Sequence, residues 1–357
     1  MKTVKPKTDN FYKLLIKEIR KNLLNRHKDN YDFYKYGQKK QLKIQLKKRV
    51  SHLFYALLYL TKVSRLNKIL SDENSKNLLV KIHSYKILGY KKYKLPLNKP
   101  DYWDGIAELK RIESKDDKLF TNSKKDHYLP KFDLNEVGIP IEMYGNVSGI
   151  YHTMKVKQYE YEQENIHIKA EKDDIVLDCG ACFGDTSLFF AHNLETDGHV
   201  YCFEFVLGNI KVFEQNLNLN PALKRKITLI PNPLAEKTGK ELFYFDNGAA
   251  SKVSNKKFPN SQKTETITID DAVEKYHLQK VDFIKMDIEG SELPALKGGI
   301  NTIKKYRPKL AISIYHSMSD FVNIAQYLKS LDLGYDFYLK HGTIHYEESV
   351  LFAQISK

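Results

Sequence analysis

The stretch from Ile175 to Ser187, IVLDCGACFGDTS, contains the residue types in this chain whose spacing most directly suggests chemistry. Three apolar residues lead into Asp178, and Gly180 and Gly184 follow with Cys179 and Cys182 among them. Such a stretch can be a redox pair of cysteines, a phosphate cradle or a loop that binds another kind of cofactor. Each interpretation predicts a different function.

The two cysteines have the spacing of a C-x-x-C redox site, but a redox pair opens a helix and exposes its first cysteine. Here Cys179 still belongs to the apolar run before the glycines, so two small buried side chains are the favoured interpretation. The third cysteine, Cys202, leaves no second pair in the sequence to complete a zinc site.

The glycine spacing also disfavours a phosphate loop, because Asp178-x-Gly180-x-x-x-Gly184 is neither GxGxxG nor GxxxxGK[ST]. Glu204 ends the next predicted strand, VYCFEF, where a carboxylate can accept hydrogen bonds from both ribose hydroxyls of a nucleoside. Two such acids without the dinucleotide glycines favour S-adenosylmethionine, since carboxylates attract its ammonium and sulfonium groups.

The elements that must position these residues follow residue 165, where β-forming runs alternate with runs of helical spacing. This alternation predicts a doubly wound α/β sheet with helices on both faces. The last strand should be antiparallel, because only a short turn separates it from the strand before. The predicted strands are IVLDC, VYCFEF, ITLIP, VDFIKMD, KLAISIYH, YDFYLKH and SVLFAQI, and the predicted helices are SLFFAHNL, GNIKVFEQNLNL, LPALKGGINTIKKY and FVNIAQYLKSL.

Residues 1–150 have a different composition and are predicted to form a separate, mainly helical domain before a second domain at 151–357. The first part has 33 Lys and Arg against 16 Asp and Glu, whereas the second has 25 against 28. LLIKEIRKNLL and LFYALLYLTKVSRLNKIL have helical spacing, and the region from Leu88 to Tyr144 is predicted to be irregular with short helices.

The basic face of the first part is interpreted chiefly as a solvated lysine surface. Contact with an anionic membrane or an acidic polymer is the alternative, and nucleic acid is the least favoured partner. Lys39, Lys40, Lys47 and Lys48 are the residues whose replacement would test it. With few cysteines and no signal-peptide pattern, we expect a cytoplasmic protein, with a membrane-peripheral position as the alternative.

From about residue 155 to 355 the chain resembles the FkbM-type S-adenosylmethionine-dependent methyltransferases. The resemblance rests on an ordered set of motifs that includes VLDCGACFGDTS, VYCFEF, TITIDD, VDFIKMDIEGSELPALKGG and RPKLAISIYH. KQYEY, at residues 157–161, stands where the family often has an EQY-like stretch. The resemblance implies a Rossmann-like, seven-stranded class I methyltransferase sheet and methyl transfer to a sugar oxygen of a glycan, nucleotide-sugar or surface-polysaccharide precursor.

The resemblance also implies which residues bind the cofactor. They are Asp178, Gly180, Gly184, Asp185, Thr186, Glu204, Phe205 and Asn232.

The catalytic residues are expected at the ends of two further strands. Asp287 and Glu289 follow the fourth predicted strand and His316 ends the fifth, so they are predicted to orient the acceptor hydroxyl or remove its proton. A cap on the next helix is the alternative for Asp287, and the helix dipole that stabilises acids accounts equally well for Glu289. A divalent metal held by Asp287 together with His341, His345 and Glu348 is a minor alternative, and no metal ligand is assigned.

Two other functions remain open at this point. The basic N-terminal part would suit an RNA methyltransferase, although the chain has no recognisable RNA-binding motif and no (D/N)PPY-type tetrapeptide after the fourth strand. The second of these functions is that of a non-catalytic binding protein that retains the cofactor fold.

Overall fold

The computed structural model describes residues 10–36, 53–121, 128–163, 165–195, 197–248 and 251–355. Contacts group the chain into two compact units, which we name the helical unit (Met1–Pro100 and Ile314–Leu351) and the sheet unit (Asp101–Ser313 and Phe352–Lys357). The boundary near residue 150 rests on composition and stays a prediction. Lys39, Lys40, Lys47 and Lys48 lie outside the described residues.

The described residues contain fifteen strands, numbered here in chain order. They are β1 (Glu113–Phe120), β2 (Tyr128–Asp133), β3 (Glu142–Tyr144), β4 (Tyr161–Gln163), β5 (Ile166–Ile168), β6 (Ile175–Cys179), β7 (His199–Phe203), β8 (Ile227–Ile230), β9 (Glu241–Tyr244), β10 (Val253–Ser254), β11 (Gln262–Glu265), β12 (Phe283–Met286), β13 (Lys309–Ser313), β14 (Tyr335–His341) and β15 (Ser349–Ile355).

The helices lie both before and between these strands. They span Asn10–Asn22, Phe33–Tyr36, Leu60–Ile69, Glu73–Leu88, Pro100–Arg111, Val147–Ile150, Asp185–Asn193, Leu207–Leu219, Pro221–Lys224, Ile269–Lys275, Glu292–Gly298, Ile300–Tyr306 and Asp320–Ser330, with a 3₁₀ turn at Leu134–Val137 and a π-helical turn at Tyr151–Lys155. None of the helices in the described residues is both long enough and apolar enough to cross a bilayer.

A seven-stranded sheet has the order β14-β15-β13-β12-β6-β7-β8, and its seven strands are the seven that the sequence predicts. β6 pairs in parallel with β12 and β7, β12 with β13, and β7 with β8. β14 and β15 are neighbours joined by only residues 342–348, which is too short for a parallel crossover, so they run antiparallel. The prediction of a mainly parallel α/β sheet is therefore confirmed.

The predicted helices of the α/β part also form, with one difference. The run LPALKGGINTIKKY makes two helices, because Gly298 ends the first and Gly299 separates it from the second. A Cβ on Gly298 would collide with the carbonyl oxygen of Ala235. The absence of a side chain at Gly298 therefore lets the end of this helix pack closely against the backbone of Ala235.

Between Leu88 and Tyr144 the described residues do contain short helices, as predicted, but the prediction that the rest of this region is irregular is wrong. Pro100–Arg111 is a helix of three turns, and β1, β2 and β3 form an antiparallel sheet. The sequence of β1, ESKDDKLF, gave no strand signal because four of its residues are charged or polar and exposed, so no alternating apolar face exists.

In the helical unit, the N-terminal helices pack on the chain segment that contains β14. The backbone of Ser71 donates to Phe337 O at 2.8 Å, and the Ser75 hydroxyl accepts from Leu339 N at 2.8 Å. Leu66, Leu79 and Phe337 are buried in this unit. The helices Leu60–Ile69 and Glu73–Leu88 are thus part of a packed core.

In the sheet unit, two asparagines bind the backbone of β3. Asn216 lies on the helix Leu207–Leu219, and Asn220 is the C-cap of this helix. The amide of Asn216 accepts from Tyr144 N at 2.7 Å and donates to Tyr144 O at 3.0 Å and Phe183 O at 2.8 Å. Asn220 makes the same pair of contacts with the backbone of Glu142. The side-chain amides therefore act as a neighbouring strand would, and they join the β1–β3 sheet to the loop after β6.

We expect Asn216→Ala to lower the free energy of unfolding by about 2–4 kcal/mol, because it removes the hydrogen bonds of three buried or partly buried backbone groups. Asn218→Ala is the matched control, since Asn218 is exposed on the same helix and should cost less than about 0.5 kcal/mol. Urea unfolding of the full chain measures both. Equal losses in the two variants would contradict this role for Asn216.

Candidate functional site

The sheet unit has a cavity of about 280 Å³ at the carboxyl ends of four adjacent strands, β12, β6, β7 and β8. This edge is where ligands of open α/β sheets bind. Six of the predicted site residues line it: Gly180, Glu204, Phe205, Asn232, Asp287 and Glu289. Five others, Asp178, Gly184, Asp185, Thr186 and His316, are not among its lining residues.

The glycine loop after β6 is shaped by close backbone packing. Gly180 has φ 91°, and a Cβ at this position would collide with the carbonyl oxygen of Asp287. Gly184 has φ 86°, and a Cβ there would collide with the ring of Phe213. Both glycines are needed because other residues rarely adopt this conformation and because neighbouring elements leave no space.

Asp178 lies beneath this loop and not in the cavity. Its side chain is 0% exposed, and its Oδ1 is 2.8 Å from Lys285 Nζ, whose side chain is 2% exposed. The hydroxyls of Thr186 and Ser187 donate to Oδ2 at 2.7 and 2.6 Å. Asp178 therefore organises the start of the helix Asp185–Asn193, and its charge is compensated inside the protein.

Lys285 is the central residue that the sequence analysis missed. Its ammonium also donates to Gly180 O at 2.7 Å and so fixes the first glycine of the loop. Burial lowers the pKa of Lys285, but the carboxylates of Asp178, Asp287 and Asp185 outweigh this effect and raise its pKa above the ordinary value. A lysine inside the apolar run VDFIKMD is the signal that could have been used, since a buried lysine requires an acidic partner.

Tyr159 connects Lys285 to the cavity. Its hydroxyl donates to Asp287 Oδ2 at 2.7 Å, and Lys285 Nζ lies 5.1 Å from the centroid of its ring. Tyr159 belongs to the KQYEY stretch, but the sequence gave no reason to prefer it over its neighbours. The carboxylate of Asp287 is thereby oriented at the cavity wall directly after β12.

Glu204 is the buried acid of the cavity wall. Its carboxylate accepts from Val206 N at 2.7 Å and from Asn209 Nδ2 at 3.2 Å. Burial raises the pKa of Glu204 to about 7, although these hydrogen bonds oppose the rise. A ligand that donates hydroxyl groups to this carboxylate would compensate for its burial.

The remaining cofactor candidates differ in their positions. Asp185, at the first position of its helix, accepts from the Thr153 hydroxyl at 2.7 Å, and burial raises its pKa. Asn232 lines the cavity, and its amide donates to Glu265 O at 2.8 Å. Phe205 lines it as well, with its ring edge-on to Tyr244.

Two further acids, Glu289 and Glu292, follow Asp287 and differ in their surroundings. Glu289 lines the cavity, and its carboxylate is 3.7 Å from Lys252 Nζ. Glu292 is buried and accepts from Ile288 N at 2.9 Å, so it holds the backbone of the turn that carries Glu289.

The polar residues of the last hairpin belong to the helical unit. His341 is hydrogen-bonded through Nδ1 to the Ser349 hydroxyl and through Nε2 to His345 O, at 2.9 and 2.6 Å. His345 accepts from Asp32 N at 3.1 Å and bonds the Tyr85 hydroxyl at 2.7 Å. Both ring nitrogens of both histidines are thus engaged within the protein, and this hairpin does not offer them as metal ligands.

The three cysteines are free thiols, and Cys179 and Cys202 are buried. Burial raises the pKa of all three thiols, so they remain protonated near neutral pH. A redox site needs a thiolate with a lowered pKa, and this stretch does not provide one.

We expect Lys285→Met to lower the free energy of unfolding by about 3–5 kcal/mol, because it leaves the Asp178 carboxylate buried without its counter-charge. Lys280→Met is the matched control: its side chain is 47% exposed and its ion pair with Asp282 should contribute at most about 1 kcal/mol. The double variant Asp178→Asn, Lys285→Met should recover part of the loss, as measured by urea unfolding. A double variant as unstable as the sum of the two single variants would contradict the pairing.

The chain is similar to known methyltransferases in sequence and in fold. The model of the Methyltransferase FkbM domain matches residues 178–337. The hexuronic acid methyltransferase AglP of Haloferax volcanii is 26% identical over 163 residues, which cover 44% of this chain and 64% of that protein. The crystal structure of a methyltransferase FkbM from Methylobacillus flagellatus shares the fold with a TM-score of 0.51 and 21% identity, over 83% of this chain and 58% of that one. The chain spans less than two thirds of the length of either relative. Over residues 178–337 the chain is therefore similar to the FkbM methyltransferase family.

Proposed function

We propose that the protein transfers the methyl group of S-adenosylmethionine to a sugar hydroxyl of a glycan, nucleotide-sugar or surface-polysaccharide precursor. The observation that carries the proposal is the strand-end cavity of the methyltransferase domain, in which the buried carboxylate of Glu204 and the oriented carboxylate of Asp287 are both part of the wall.

The residues of this cavity suit the cofactor. The Glu204 carboxylate would accept hydrogen bonds from the ribose hydroxyls, with Phe205 and Asn232 beside the adenine. Gly180 would let the ligand approach the backbone, since it has no side chain. The acids Glu204 and Asp287 provide the negative potential that a sulfonium and an ammonium group favour.

The cofactor, when bound, supplies an electrophilic methyl group on sulfur. An acceptor oxygen gains the methyl as the carbon–sulfur bond breaks, and the hydroxyl loses its proton to a base. In our proposal Asp287 orients the acceptor hydroxyl, with its own carboxylate held by Tyr159, and Glu289 is a second acid at the cavity wall. His316 remains the proposed base, since an imidazole can take a proton near neutral pH.

A sugar acceptor is supported by two observations. The FkbM resemblance implies methyl transfer to oxygens of sugars, and AglP is described as acting on a hexuronic acid. The sugar of a relative at 26% identity is not carried over to this chain, so we propose only the acceptor class.

Incubation with tritiated S-adenosylmethionine and pools of sugars, nucleotide-sugars and RNA tests the proposal, and we expect label in a carbohydrate pool. His316→Ala should lower kcat by about 10²–10⁴, the usual range for a lost general base, while calorimetric binding of S-adenosylhomocysteine is unchanged. Asp287→Asn should lower kcat as well. Labelled RNA, or affinity for NAD equal to that for S-adenosylhomocysteine, would overturn the assignment.

The raised pKa of Glu204 gives a separate prediction for cofactor affinity. Ribose hydroxyls donate to the ionised carboxylate, so binding should release a proton and strengthen as the pH rises through about 7. We expect affinity for S-adenosylhomocysteine to fall by up to about 30-fold between pH 8 and pH 5.5, as measured by calorimetry. Glu204→Gln should remove this dependence. A pH-independent affinity of the wild-type protein would contradict the contact.

A further inference from the structure

The helical unit has its own cavity of about 410 Å³. It is lined by the aromatic side chains Tyr55, Tyr59, Tyr315 and Tyr346 together with Lys86, His316, Ser317, Met318 and Ser319. Tyrosine rings with a few polar groups are typical of sites for ligands that have both apolar faces and hydroxyl groups.

Lys86 is the unusual residue of this cavity. It lies on the helix Glu73–Leu88, and its ammonium donates to Met318 Sδ at 3.4 Å and lies 4.0 Å from the centroid of the Phe321 ring. In the described part of the chain, no carboxylate lies within ion-pair distance of Lys86. Lys86 is half-buried, and a thioether and an aromatic face compensate a partly desolvated cation only weakly.

The electrostatics agree with this incomplete compensation. Burial lowers the pKa of Lys86 to about 8, and the Glu347 carboxylate opposes the fall from beyond ion-pair distance. Burial lowers the pKa of His83 to about 3 and that of His341 to about 4, and the positive charge of Lys86 contributes to both shifts. The two imidazoles are therefore neutral near pH 7, and Lys86 is the cation that this cavity presents to a ligand.

We propose that this cavity binds an acidic sugar, with Lys86 as the counter-charge of its carboxylate or phosphate and the tyrosines as walls for the sugar ring. The inference names the acceptor class and so rests on the proposed function. It fits the position of His316, the proposed base, among the residues that line the same cavity. An anionic group bound there would supply the negatively charged partner that none of the described residues places within ion-pair distance of Lys86.

Direct binding to the full chain, without cofactor, tests the proposal. Glucuronate tests a carboxylate, glucose 6-phosphate tests a phosphate, and glucose is the neutral probe. We expect one or both acidic sugars to bind more tightly than glucose in calorimetry, and the preferred one distinguishes the two sources of negative charge. Lys86→Met should weaken that binding by about 30-fold or more, the lower range for loss of one partner of a buried charge pair.

Lys81→Met is the matched control on the same helix, outside the cavity lining, and should leave binding unchanged. Thermal unfolding checks that Lys86→Met is folded; its melting temperature should be equal to or above that of the wild type, because the variant removes a poorly compensated charge. Acidic sugars that bind no better than glucose, or that bind Lys86→Met as tightly as the wild type, would overturn the proposal. Transfer to neutral sugars alone would also overturn it and leave the proposed function standing, whereas acidic sugars that bind but are never methylated would overturn only the function.

Discussion

The ion pair between Lys285 and Asp178 is the interaction on which the rest of the sheet unit depends. The two residues are opposite each other in the parallel pairing of β12 and β6, and both are buried. Desolvating two charges is costly, and an ion pair alone seldom repays that cost. Here the hydroxyls of Thr186 and Ser187 and the carbonyl of Gly180 complete the coordination of both groups. The pair therefore fixes two strands, the glycine loop and the start of the next helix in one arrangement.

This arrangement changes the interpretation of the first acid in the motif. From the sequence, Asp178 is an acid at a strand end and was predicted to contact the cofactor. In the structure Lys285 compensates its charge, so its effect on a ligand acts through the position of Gly180. Among the acids that line the cavity, the carboxylates of Glu204 and Asp287 accept hydrogen bonds from Asn209 and Tyr159. In this arrangement Asp178 shapes the cavity wall through the glycine loop and Lys285.

Elements with a regular apolar pattern could be predicted from the sequence. Elements and side chains whose role depends on residues far away in the chain could not. All seven strands of the large sheet follow from apolar runs of the right length, because buried parallel strands need such runs. β1 was missed because its stability comes from pairing with β2 and from the asparagines that hold β3, and its own residues are mostly polar. Likewise Lys285 and Tyr159 acquire a role only through residues more than a hundred positions away. Periodicity has no information about such contacts.

The charges of the two cavities favour ligands of opposite sign. The cavity of the sheet unit has three acids, Glu204, Asp287 and Glu289, and only Glu289 has a lysine, Lys252, close to it among the lining residues. Such a wall attracts cations and hydroxyl donors and repels a phosphate or a carboxylate. The cavity of the helical unit has Lys86 without a carboxylate at ion-pair distance in the described residues, so it attracts the groups that the first cavity repels. By charge, the cavity of the sheet unit would therefore disfavour an acidic sugar, and the cavity of Lys86 would disfavour a sulfonium compound. Discrimination of this kind needs no difference in shape, because placing like charges side by side costs several kcal/mol.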